Sequence, residues 1–116
     1  MKWYNREIMI IRNKPSKVEI AKLFIKSGEF IKVVVDIERG TLAAGGELHS
    51  DEEKILLEDG SEQKDLWGAN YYPKENRVEY KSLINIRSRE KNYSQQIENE
   101  EIRDKVKEIV LQLLGL

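Results

Sequence analysis

The most constraining stretch of this chain is Phe30 to Glu38, where apolar and polar residues alternate without a break. Ile31, Val33, Val35 and Ile37 share one face, and Lys32, Asp36 and Glu38 the other. A strand has a side-chain period of two, so this pattern predicts a strand with one face committed to a core. Arg39-Gly40 then reads as a two-residue hairpin turn, and Thr41 to Leu48 as the returning strand. With that turn, opposed positions sum to 79: Ile37 faces Leu42, Val35 faces Ala44, Val33 faces Gly46, Ile31 faces Leu48, and Lys32 faces Glu47 as an opposite-charge pair.

A second hairpin is predicted from Lys64 to Tyr72 and Arg77 to Arg87, around a turn at Pro73 to Asn76. Its positions sum to 149, with Tyr71 facing Val78, Ala69 facing Tyr80 and Trp67 facing Ser82. The reverse face, with Asn70 against Glu79 and Gly68 against Lys81, reads as solvated. Glu7 to Arg12 is a further strand, apolar on both faces. Ser16 with Glu19, and Ser50 with Glu53, have the capping-box spacing that starts a helix. Val18, Ile20, Ala21, Leu23, Phe24 and Ile25 give the first of these helices a wide apolar face, and Gly28 stops it. A last helix begins at Glu98 or Asn99 with Ile102, Val106, Ile109, Val110 and Leu113 on one stripe. The small run Ala43 to Gly46 suits close packing.

The element order is therefore β-α-β-β-α-β-β-α in a single domain of 116 residues. The class is α+β: a two-layer sandwich, with a mostly antiparallel sheet of about five strands and helices on one face. A ferredoxin-like arrangement and a meander both fit that order, and the short second helix favours the meander. No apolar run exceeds four residues and the N-terminus has no signal-like apolar region, so no membrane span is expected and a cytoplasmic location is the default. The 20 basic and 21 acidic residues balance, which argues against bulk attraction to nucleic acid. The absence of cysteine excludes disulfides, thiolate metal sites and a cysteine nucleophile.

Several segments resemble a small prokaryotic family of unknown function. These are Glu47-Leu48-His49, Leu57-Glu58-Asp59-Gly60-Ser61, Leu66-Trp67-Gly68-Ala69-Asn70, Ile84-Asn85-Ile86-Arg87 and Ile102-Arg103. The chain departs from the family pattern at Ser88, where a proline is usual, and at Tyr93, where a basic residue is usual. The resemblance implies no activity.

Two regions could carry chemistry. The first surrounds His49, the single histidine and the side chain suited to proton transfer near neutral pH. With Glu47, Asp51 and Glu52 beside it, and Arg87 to neutralise developing charge, it would serve a metal- or His-assisted hydrolase or nuclease. No established metal-ligand spacing is present, so no metal is assigned. The second is the irregular polar loop after Ile84, in which Asn85, Arg87, Arg89, Asn92 and Ser94 could hold an anionic ligand. That ligand would be a nucleotide, a phosphorylated metabolite or RNA, with Tyr93 stacking on a base. A binding module of this kind is the preferred reading and the hydrolase the alternative. Cofactors are not legible. The aromatic group Trp67, Tyr71, Tyr72 and Tyr80 reads as core, with a homodimer face or a ligand platform as the sharper alternatives. Trp3 and Tyr4 are expected to pack on the sheet edge or on a partner subunit.

Overall fold

Local sequence explains where the helices begin and end. In the computed structural model, which describes residues 2–3 and 7–115, α1 spans Lys17–Ser27. Ser16 Oγ accepts from the Glu19 amide at 3.2 Å and Glu19 Oε1 accepts from the Ser16 amide at 3.1 Å, so the capping box forms. Gly28 ends the helix at φ +78°, a conformation that costs glycine little. Only Leu23 of α1 is fully buried, while Ile25 is 83% exposed, so its apolar face is narrower than the sequence suggests. The second helix, α2, spans His49–Glu58. It starts on Leu48 without any side-chain cap, so the Ser50–Glu53 box is not formed and Ser50 lies in the first turn. The last, α3, spans Glu100–Leu114, with the Asn99 side chain accepting from the Ile102 amide at 3.0 Å.

Six strands form one sheet: β1 (Lys2–Trp3), β2 (Met9–Ile11), β3 (Ile31–Asp36), β4 (Thr41–Ala44), β5 (Leu66–Tyr72) and β6 (Arg77–Glu79). Their order is β1-β2-β4-β3-β5-β6 and every pairing is antiparallel. The α+β class and the antiparallel sheet are as expected, with the two-residue β1 added at one edge. The side chains of Trp3 and Tyr4 lie outside the described residues.

The register sum of 149 holds for the second hairpin, where Tyr72 faces Arg77, Tyr71 faces Val78 and Asn70 faces Glu79. The pairing ends there. Ala69–Tyr80 and Trp67–Ser82 are not ladder pairs, because β6 stops at Glu79. The register sum of 79 is corrected to 77, with Val35 facing Leu42 and Val33 facing Ala44. The cause is Asp36, whose Oδ1 accepts from the amides of Glu38 and Arg39 while its carbonyl accepts from the Gly40 amide. A four-residue turn results, with Gly40 at φ +68°. The shift is even, so each side chain keeps its face. β4 ends at Ala44, and Lys32 lies across from Asn70 of β5 instead of meeting Glu47.

The helices do not share one face, which corrects the two-layer arrangement. Both β2-α1-β3 and β4-α2-β5 join strands of like direction that flank one intervening antiparallel strand. The two crossovers move the same way across the sheet between strands of opposite sense. A common right-handed sense therefore puts their helices on opposite faces. Leu23 of α1 and Val106, Val110, Leu113 and Leu114 of α3 pack with Met9, Ile11, Val33, Val35, Trp67 and Tyr71 on the front. Ile55 and Leu56 of α2 pack with Ile8, Ile10, Val34, Ala43 and Leu66 on the back. Ten residues make α2 about 15 Å long. It leaves the part of the back face around Lys32 and Asn70 to other residues.

A candidate anion-binding cleft on the back of the sheet

The segment that follows β6 covers the edge of β5 from outside. A Cβ placed on Gly68 would lie 2.5 Å from Ser82 Cβ and 3.1 Å from Ile84 Cγ1, so this segment packs directly on the strand. The back face expected to be wet at Gly68 is therefore dry. Asn85, fully buried, accepts from the Gly68 amide through Oδ1 at 2.9 Å and donates to the Gly68 carbonyl through Nδ2 at 3.0 Å. Its side-chain amide thus takes the place of a neighbouring strand's peptide where β6 has ended. Arg87 donates to the carbonyls of Gln63 and Leu66, and its guanidinium stacks 4.2 Å over the Trp67 ring. Burial pulls its pKa down, against the pull of Glu90 and Glu53. Asn92 Nδ2 reaches the carbonyls of Asn85, Ser94 and Gln96, and its Oδ1 accepts from the Glu98 amide.

The loop 85–94 thus spends most of its donors on the chain itself. Where it forms an anion-binding nest, its own carboxylate fills it: Glu98 Oε2 accepts from the amides of Tyr93 at 2.7 Å and Ser94 at 2.8 Å. Those bonds, the one from Tyr93 foremost, hold Glu98 below the usual carboxylate range. Ser94 Oγ donates to the Gln96 carbonyl. Of the five side chains expected to hold a ligand, Arg89 alone is exposed without a hydrogen bond or ion pair to another described residue.

The acids expected around His49 are not gathered there either. Glu47 lines a neighbouring cleft of 330 Å³ that also holds Lys26, Glu29 and Gly46 and shares Phe30 and Lys32 with the cleft beside His49, and Asp51 is exposed. Glu52, three residues after His49, is fully buried, with Oε2 accepting from the Gly46 amide at 2.9 Å and Oε1 unpartnered. Burial holds its pKa well above the ordinary 4.5. Among the described residues no three His, Asp or Glu side chains converge as a metal site. His49 contacts Ala69 while Arg87 contacts Leu66, three residues or about 10 Å along β5. The structure does not bring these two together.

His49 instead meets a different set. Its Nε2 lies 2.8 Å from the Ala69 carbonyl, which can only accept, so Nε2 carries the hydrogen and Nδ1 is an acceptor. Burial lowers its pKa from 6.5, opposed only in part by the contacts with Ala69 and Asn70, and Lys32 lowers it further. The imidazole is therefore neutral near pH 7. It borders a cleft of 420 Å³ whose polar lining is Lys32, His49, Ser50, Asn70, Lys81, Ser82 and Gln95. Phe30, Leu48, Leu83 and Ile84 supply apolar walls, and Leu83 is 72% exposed. The start of α2 opens here with its first amides uncapped, at the positive end of the helix dipole.

Sequence reasoning found His49 but missed Lys32, Asn70 and Lys81. Lys32 carried a signal, as the one basic residue within an otherwise apolar or acidic strand pattern. Asn70 and Lys81 carried none, because their place depends on the segment after β6 folding back over β5.

A family model described as Protein of unknown function (DUF5674) matches residues 9–113. The chain belongs to that family. Comparisons with curated proteins and with solved structures gave no significant match. The segments that carry the resemblance bond to one another in this fold: Leu66–Asn70 meets Ile84–Arg87 through Gly68 with Asn85 and Leu66 with Arg87. In the Leu57–Ser61 segment, Ser61 Oγ donates to the buried Asp36 at 2.6 Å and Asp59 pairs with Arg12 and Arg39. Glu47 to His49 is the segment that reaches the clefts.

Proposed function

We propose that this protein is a binding module for a small amphipathic anion, held in the cleft between the start of α2 and residues 81–84. One observation carries the reading. The cleft is lined by Lys32, Lys81, His49 and an uncapped helix start, and by no acidic residue, in a chain with 21 of them. An anion there gains from two ammonium groups and from open backbone amides. Its apolar portion gains from Phe30, Leu83 and Ile84, and 420 Å³ suits a metabolite-sized molecule. RNA fits less well, since the basic loop expected to bind it presents few unspent donors. The hydrolase reading loses its geometry with the dispersal of Glu47, Asp51, Glu52 and Arg87. No described helix is long and apolar enough to cross a membrane.

A thermal-shift titration tests this, because a ligand that binds only the folded state raises the midpoint by mass action. Phenyl phosphate and 3-phenylpropionate are expected to raise it and phenethylamine is not. Lys32→Ala and Lys81→Ala should each diminish the response. No response to either anion, or an equal response to the cation, would refute the proposal.

A further inference from the structure

The polar lining of this cleft contains two acceptors that the protein leaves unmatched. His49 Nδ1 is the first: Nε2 is committed to Ala69, and no described side chain donates to Nδ1. Asn70 is the second. It is 7% exposed, and its Nδ2 donates to Glu79 Oε1 at 2.9 Å and to the Lys81 carbonyl at 3.3 Å, both on the β6 side. A planar amide then turns Oδ1 toward β3, where Lys32 is the cross-strand neighbour. That oxygen stands near His49 without completing a hydrogen bond of normal geometry.

An acceptor at the cleft that no protein group satisfies, as His49 Nδ1 is, is open to a hydrogen carried by a ligand. Anionic oxygens alone cannot supply it, since they are acceptors themselves and would face the imidazole lone pair. The missing component is a hydrogen on the ligand. It cannot come from an ammonium group, because Lys32, Lys81 and the positive end of α2 surround the site and no carboxylate lines it. A neutral hydroxyl satisfies both conditions.

Resting on the anion-binding reading above, we propose that the ligand class is the 2-hydroxy acids with an apolar tail. The carboxylate lies against Lys32 and Lys81, the hydroxyl donates to His49 Nδ1, and the tail lies on Phe30 and Leu83. The hydroxyl sits one carbon from the carboxylate, which matches a histidine in the first turn of the helix whose amides receive the anion.

The test is a matched set measured by calorimetry at pH 7 on the full chain: 3-phenyllactate, 3-phenylpropionate and phenylalanine. The hydroxy acid is expected to bind up to about tenfold more tightly than 3-phenylpropionate, the upper worth of one net hydrogen bond. Phenylalanine should bind more weakly than either. His49→Phe, which keeps a ring and removes the acceptor, should erase the preference, read as the ratio of the affinities for the two acids. If that variant does not fold, nitrogen NMR of the wild-type imidazole decides. Saturation with 3-phenyllactate should move the Nδ1 resonance as an acceptor would move, with Nε2 still protonated. Equal affinities for the two acids, or an unmoved Nδ1, would overturn the hydroxy-acid proposal and leave the anion reading standing. Binding by neither acid would refute the anion reading itself.

Discussion

The loop at 85–94 and the cleft at His49 lie along the same strand, and they use polar side chains in opposite ways. In the loop, Asn85 and Asn92 each make three or more hydrogen bonds to backbone groups, and Arg87 takes two carbonyls and an aromatic face. In the cleft, Lys32 and Lys81 have no described ion pair and Asn70 keeps an unmatched oxygen. A side chain that completes the backbone is unavailable to a ligand. The difference teaches that donor-rich composition marks a binding loop only after the chain's own peptide groups have been served.

Substitutions should separate the two regions by what they cost. Asn85→Ala leaves the Gly68 amide and carbonyl buried without partners, and is expected to lose about 3 kcal/mol in urea unfolding. A loss under 1 kcal/mol would mean that the segment is not held through this side chain. Gly68→Ala drives a methyl into Ser82 and Ile84 and should cost about 2 kcal/mol. It should also weaken ligand binding, because Ser82 and Ile84 line the cleft.

The cleft behaves differently with pH. His49 has a lowered pKa in the folded state, so its contribution is full above the unfolded value of 6.5 and is lost as pH falls below it. His49→Gln should therefore flatten the fall in stability between pH 7 and pH 5, read as unfolding midpoints. An unchanged slope would place the acid sensitivity elsewhere. Lys32→Ala should have the smallest effect on stability, within about 0.5 kcal/mol of wild type, since this lysine has no described ion pair. Its effect should appear in binding alone.

Much of the fold was legible in the sequence because local chemistry decided it. Ser16 with Glu19 and Gly28 bounded α1, and the four residues Pro73 to Asn76 fixed the second register. The first register was missed by two because Asp36 reads as an outward strand charge, whereas its carboxylate builds the turn. The faces of the helices were not legible, since they follow from the spatial order of strands, and no local pattern states that β4 lies between β2 and β3. His49 stood out as the single histidine, yet neighbours in sequence gave it the wrong companions. Of the acids at 47, 51 and 52, the first lines the neighbouring cleft, the second is exposed and the third is buried against the Gly46 amide. The residues that do converge come from β3, β5 and the segment after β6.

A ligand of this protein is expected to contact the cleft and not the loop. The most direct measurement is an amide NMR titration of the full chain with 3-phenyllactate. Shifts should concentrate at Lys32, His49, Ser50, Asn70 and 81–84, with 87–94 unmoved. Shifts centred on Arg87 to Ser94, with His49 and Lys32 silent, would contradict it.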